Sequence, residues 1–155
     1  MSDETFNIII NRLKEEKINV KRFILHINGE PLLDAKLFDR IDHLHNIFPS
    51  SNIRFTSNFS MASDDIIEKI LHSPLNAITI SISAMDSDEY YSITKLLYDR
   101  IMTNIGKFMP RKKELNSPIT VNFSIVARRD NIDKVEKFKE KYATIGNVRI
   151  IHLGE

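Results

Sequence analysis

Ala77-Ile78-Thr79-Ile80-Ser81-Ile82-Ser83 is the stretch on which the fold turns. Isoleucines at 78, 80 and 82 alternate with hydroxyl-bearing residues at 79, 81 and 83. A period of two belongs to a β-strand with one apolar and one polar face. The same alternation sets Ile119, Val121, Phe123 and Ile125 against Thr120, Asn122 and Ser124, and Ile53 and Phe55 against Arg54 and Thr56. It also sets Phe23, Leu25 and Ile27 against Arg22, Ile24 and His26, and residues 148–153 read as a fifth strand.

Between these strands the period changes to that of a helix. Phe6, Ile9, Ile10 and Leu13 form a stripe that Ser2 or Asp3 can cap. Leu33, Leu37, Ile41, Leu44 and Phe48 form a second, closed by Pro49. Ile66, Ile67, Ile70 and Leu71 follow the cap candidate Ser63 and end before Pro74. Asp86 and Glu89 have capping-box spacing, and Tyr90, Ile93, Leu97, Ile101, Ile105 and Phe108 predict one continuous helix up to Pro110. Residues 112–118 read as a polar loop, and Ile132, Val135, Phe138 and Tyr142 stripe a fifth helix.

Strands joined by single helices imply right-handed crossovers and a parallel sheet. Parallel strands packed between two helix layers are ordinarily apolar on both faces, which these are not. Every helix carries an apolar stripe, so all the helices are expected on the apolar face. Burying each unpaired hydroxyl of the other face would cost roughly 1–3 kcal/mol, so that face is expected to be wet or filled by a ligand. The predicted class is α/β: an open partial (β/α) barrel of five parallel strands in sequential order, with helices on the outer face.

Composition narrows the function. The 155 residues suit one domain, 1–155, and 22 basic against 21 acidic residues give no global field for nucleic acid or acidic lipid. No apolar run reaches the length of a membrane span, and the acidic start Met1-Ser2-Asp3-Glu4 does not resemble a secretory signal. Neither nucleic acid nor membrane is expected as a partner, and a cytoplasmic protein is. The absence of cysteine excludes disulfides, thiolate zinc sites and a cysteine-ligated iron–sulfur cluster within this chain. There is no GxSxG, Walker lysine loop or GxGxxG. Of five histidines, only His26 and His152 are expected to face the interior, which makes no metal site.

Ligands of parallel α/β folds sit at the carboxyl ends of the strands. Here those ends are Asn28-Gly29-Glu30-Pro31, Thr56-Ser57-Asn58, Ser83-Ala84-Met85-Asp86, Arg128-Arg129-Asp130 and Gly154-Glu155. Gly29 directly after a strand permits positive φ or close approach of a ligand to the backbone. Glu30 beside it offers a carboxylate suited to an ammonium group.

His26-Ile27-Asn28-Gly29-Glu30-Pro31-Leu32-Leu33 resembles the "GGEPLL" segment of the radical S-adenosylmethionine (radical SAM) enzymes. Ile53-Arg54-Phe55-Thr56-Ser57-Asn58 resembles their "TTNG" strand, and the stretch from Ile78 to Asp86, continuing to Glu89-Tyr90, their "iSlDa.d.e.y" passage. Val126 to Ile132, with Asn131 opening a helix, is like "vv.k.N.dei". The resemblance covers essentially the whole chain as the middle of a partial (β/α) barrel. It implies that Asn28, Gly29 and Glu30 meet the methionine amino group of S-adenosylmethionine. It further implies that Ser81 meets the ribose or carboxylate, with Ser83 where an aspartate is frequent and Thr56 and Asn58 at the polar strand end. Lys95 occupies the stretch where many members place a carboxylate-binding arginine.

The family also uses a [4Fe–4S] cluster on a CxxxCxxC loop, for which this chain has no ligand. The chain is therefore expected to be a fragment of a radical SAM barrel, inactive alone, with a natural relic as the other explanation. The competing function is a non-catalytic scaffold. It would bind a partner, a second copy or the remaining barrel segments through its exposed sheet edges, residues 20–27 and 148–153.

Overall fold

The computed structural model describes residues 1–26 and 29–152. Its elements in chain order are α1 (Asp3–Glu15), β1 (Arg22–Ile24), a 3₁₀ turn (Pro31–Leu33), α2 (Leu37–Ile47), β2 (Asn52–Ser57) and α3 (Asp64–His72). They continue with β3 (Ala77–Ser81), α4 (Ser87–Thr94), α5 (Tyr98–Glu114), β4 (Thr120–Ala127), α6 (Ile132–Tyr142) and β5 (Asn147–His152). All five strands are parallel and stand in the order β1-β2-β3-β4-β5, so the sheet is open, as expected.

The caps are local and chemical. The hydroxyl of Ser2 accepts the Thr5 N–H, that of Ser63 the Ile66 N–H, and the Asp86 carboxylate the Glu89 N–H. Each satisfies a backbone donor that the first turn of a helix leaves without a partner.

One strand face is sealed by the helices. Ile53, Phe55, Ile78, Ile80, Ile82, Phe123 and Ile125 are buried together with Ile41, Leu44, Ile67, Ile70, Ile101, Phe108 and Phe138 from the helices. Each such side chain contributes about 1.5–3 kcal/mol of burial free energy. The Tyr142 ring stacks on Phe123 at 4.6 Å and tilts against Phe138 at 4.7 Å. Burial pushes the Tyr142 hydroxyl well above its usual pKa. The β4-facing turn before β5 has room only for glycine at 146, where a Cβ would meet the Phe123 ring at 2.8 Å.

The other face is uncovered. Arg54, Thr56, Thr79, Ser81 and Ser83 are half-buried, and Arg22, Ile24, Arg149 and Ile151 are exposed. Asn122 and Ser124 lie deep at its centre, the Asn122 amide donating to the Ile78 carbonyl at 3.3 Å.

Two elements differ from expectation. The single helix predicted from Asp86 to Pro110 is broken into α4 and α5. Lys95 takes a left-handed conformation at φ 60°, and Thr94 Oγ1 accepts the Leu96 N–H at 3.1 Å, drawing it out of the helical ladder. Leu97 continues the apolar spacing across the break, so periodicity alone hides it. Pro110 does not end α5, which runs through it to Glu114 and forgoes one hydrogen bond toward Gly106. Strand β1 also stops at Ile24 and does not take in Leu25 and His26, because the His26 side chain takes over the pairing, as described next; Ile27 lies outside the described residues.

Candidate functional site at the strand ends

The turn after β1 folds back onto the turn after β2. Gly29 has φ 93°, which only glycine adopts without strain, and a Cβ there would meet nothing. The chain then reverses so that Glu30 caps the 3₁₀ turn, its Oε1 accepting the Leu32 N–H at 3.1 Å. The same oxygen accepts the Ser57 hydroxyl at 2.6 Å, and Oε2 accepts the Asn58 N–H at 2.8 Å. Glu30 is thus a brace between two strand ends, with one of about four lone-pair sites left for another donor.

The β2–α3 turn is correspondingly rigid. Ser57 Oγ accepts the Phe59 N–H at 2.8 Å, and Asn58 Oδ1 accepts the Ser60 N–H at 2.9 Å. Phe59, directly after Asn58, takes the left-handed conformation that glycine adopts most easily, at φ 63°. A fully buried ring, edge-on to Phe108 at 5.2 Å, holds it there. Asn104, reaching from α5, donates to the Phe59 carbonyl at 2.9 Å.

His26 completes this corner. Its Nδ1 accepts the Thr56 N–H at 3.0 Å, so the imidazole replaces the backbone partner that a longer β1 would supply. An accepting Nδ1 requires the Nε2–H tautomer. Burial holds the His26 pKa below its usual value, with the Glu30 carboxylate pulling the other way. Beside His26, Gly29 and Glu30 a hollow of about 530 Å³ opens along the free edge of β1. A groove of about 650 Å³, lined by Ile132, Val135 and Ile150, lies at the opposite sheet edge, away from these residues.

Across the sheet the β3 and β4 ends are tied by charge. Glu89 accepts from Arg128 at 2.9 Å and from Lys134 at 2.6 Å, and Lys134 also reaches Asp86 at 2.9 Å. Asn131 pins the turn after β4, accepting the Arg128 N–H at 2.7 Å and donating to the Val126 carbonyl at 2.9 Å.

The structure gathers Gly29, Glu30, Thr56 and Asn58 at adjoining strand ends, and places Ser81 and Ser83 at the end of β3 on the open face. The side chains of Thr56, Ser81 and Ser83 make no hydrogen bond among the described residues. Lys95 stands apart: it caps the far end of α4, about 12 Å of helix from the β3 end, and its ammonium donates to the Ser92 carbonyl at 3.1 Å above Tyr91. Asn28 lies outside the described residues. Sequence reading did not single out Ser57, Asn104 or the accepting role of His26. The run Thr56-Ser57-Asn58 carried a signal for Ser57, whereas Asn104 acts across 45 residues and carried none. Among the described residues no three His, Asp or Glu side chains are placed to hold a metal ion, and the chain has no cysteine. No helix among them is long and apolar enough to cross a membrane.

No protein-family model matches the sequence, and no curated protein matches it. Solved structures do. SuiB of Streptococcus suis bound to S-adenosylmethionine aligns over 98% of this chain and 34% of its own, at TM-score 0.67 and 14% identity. Native anSMEcpe with bound AdoMet aligns over 100% of this chain and 43% of its own, at TM-score 0.75 and 14% identity. Archaeal TYW1 aligns over 95% and 50%, at TM-score 0.65 and 22% identity. This chain thus spans between a third and a half of their lengths. The open sheet, its strand order and these alignments agree with the motifs read from the sequence: the chain has the partial-barrel fold of the radical SAM enzymes.

Proposed function

We propose that this chain is the S-adenosylmethionine-binding and substrate-facing portion of a radical SAM enzyme. The observation that carries the reading is the convergence of Gly29, Glu30, Thr56 and Asn58 on the β1 and β2 ends, beside the hydroxyls of Ser81 and Ser83 at the β3 end, which have no partner among the described residues. Structures with S-adenosylmethionine or AdoMet bound share the fold.

The residues present fit that ligand. The open backbone at Gly29 and the remaining acceptor site of Glu30 suit the methionine ammonium, and Asn28, which the resemblance also points to, lies outside the described residues. The hydroxyls of Ser81 and Ser83 suit a ribose or carboxylate, and Thr56 with the Asn58 amide borders them. The chemistry that bound S-adenosylmethionine supplies in the family is reductive cleavage at its sulfonium. In this reading Glu30 orients the ammonium and the serines hold the ribose or the carboxylate. Lys95, turned onto its own helix, takes no part.

A [4Fe–4S] cluster does not fit this chain, which has no thiolate and no substitute ligand group among its described residues. We therefore assign no electron-transfer step to it, and alone it is inactive. Titration of the ¹⁵N-labelled chain with S-adenosylmethionine tests the reading. Weak saturable shifts centred on the amides of Gly29, Asn58 and Ser81 are expected. Shifts elsewhere only, or tighter binding of an unrelated nucleotide, would sink it.

A second reading is favoured by the exposed Ile24 and Ile151 on the two edge strands. It is association through those edges with a second copy or with further barrel strands. Light scattering tests the second copy: a stable dimer supports self-association, and a strict monomer leaves only the further barrel strands as the edge partner.

A further inference from the structure

The two ends of the sheet are unlike, and each lacks what the other offers. Strands β1 and β5 are outermost among the described residues, so each has one edge of unpaired backbone groups. A helix of this fold lies over the junction of the two strands it joins, as α6 does over β4 and β5. By the same step α1, which leads into β1, stands over the free side of β1. It packs along α2, Phe6 against His43 and Asp3 against Arg40. The hollow of about 530 Å³ lies between its Phe6 and residues Ile24 and Leu25 of the β1 segment. Among the described residues, α1 has a strand beneath it on one side only.

At the other end β5 is a strand covered from one side only. Ile150 shares the helix-side face with its register partner Ile125, which is buried, yet Ile150 itself is half-buried. The groove of about 650 Å³ runs between β5 and the flank of α6 that bears Ile132, with Val135 and Ile150 on its floor. Lys141, on the opposite flank of α6, reaches Tyr98 of α5. Ile132 is 62% exposed. One further helix, lying parallel to α6, would cover this apolar floor.

The surface of α1 matches the groove in apolar character and in charge. Helical residues advance by roughly 100°. Asn7 borders α2 beside Asp39 and His43, so Ile9 falls on the flank away from α2, where it is 45% exposed. The groove lining carries Arg128, Arg129 and Lys139 against one acid, Glu136, which Lys139 holds at 2.7 Å. Arg128 and Arg129 stand where α6 begins. Helix α1 begins with Asp3 and Glu4, and the exposed Glu4 forms no ion pair among the described residues. Parallel helices would set these first turns side by side, acid against base.

We infer that copies of this chain associate head to tail, which rests on the edge-association reading and fixes the surfaces that meet. The α1–β1 edge of one copy seats in the α6–β5 groove of the next, and β1 continues the parallel sheet beyond β5. The contact is heterologous: each copy presents one inserting and one receiving surface, and the series closes as a ring or continues.

Light scattering and sedimentation of the full chain over a range of concentration test this. Ile9→Lys puts a cation against the basic groove, and Ile132→Glu puts an anion in the groove against the acidic helix. Each should weaken self-association about tenfold or more. An equimolar mixture of the two variants should associate again, because the groove of the first and α1 of the second are unaltered. Ile93→Lys, at an exposed position on α4, should leave association unchanged, and an unaltered thermal midpoint shows that each variant is folded. Undiminished association of Ile9→Lys or Ile132→Glu by itself would indicate a symmetric contact. That result, or a mixture that stays monomeric, overturns the head-to-tail contact while edge association stands. A monomeric unaltered chain overturns self-association altogether.

Discussion

Glu30 Oε2 accepts the backbone N–H of Asn58 at 2.8 Å, so a residue just beyond the first strand sets the shape of the turn just beyond the second. The same carboxylate holds Ser57 and Leu32. Removing it leaves three donors to find water. Glu30→Ala should cost about 2–4 kcal/mol, since bonds to charged groups are worth about 1.5–3 each before solvent compensates. Glu30→Gln keeps an acceptor and should cost about 1 kcal/mol. In thermal melts these correspond to losses of about 5–15 °C and about 2–4 °C. Equal losses would show that the charge, and not the acceptor geometry, is what matters.

His26 makes this corner sensitive to pH. Its folded-state pKa lies below the unfolded value of about 6.5. The unfolded chain then binds the proton first as pH falls. Its contribution is fully present above pH 6.5 and is lost as pH drops from there through the lowered folded value. Protonated Nδ1 can no longer accept from Thr56. Hydrogen exchange of the Thr56 amide, corrected for intrinsic rate, should accelerate over that interval. His26→Asn, whose Oδ1 can accept without titrating, should flatten the dependence; an unchanged profile in that variant would assign it elsewhere.

Phe59 carries a backbone strain that glycine would relieve by about 1 kcal/mol. Its ring is fully buried, and truncating such a residue costs about 3–5 kcal/mol. Phe59→Gly should therefore be net destabilising by about 2–4 kcal/mol, measured by urea denaturation. A neutral or stabilising result would mean that the packing against Phe108 is worth little.

Gly146→Ala should destabilise by about 1–3 kcal/mol, because the added methyl meets the Phe123 ring at 2.8 Å and the Val121 carbonyl at 3.0 Å. Pairing it with Phe123→Leu should recover part of the loss. An additive double mutant would show that the clash is with the backbone.

The architecture was readable because alternation in Ile78 to Ser83 and Ile119 to Ser124 reports directly which face is buried. Helix caps were readable where one side chain suffices, at Ser2, Ser63 and Asp86. The break at Lys95 was not, since Thr94 diverts a single amide while Leu97 keeps the apolar rhythm intact. At the strand ends Gly29 and Glu30 stood out by residue type. Their partners did not: the His26–Thr56 and Asn104–Phe59 bonds join residues 30 and 45 positions apart, and no local pattern encodes a three-dimensional closure of that kind.

The separation of the two strand faces also bears on how such a protein diverges. Alternate positions along one strand answer to different demands: Phe55 and Ile80 to packing, Thr56 and Ser81 to whatever meets the open face. A mutation at one set leaves the other nearly untouched, so ligand preference can drift while the hydrocarbon side keeps the backbone in place.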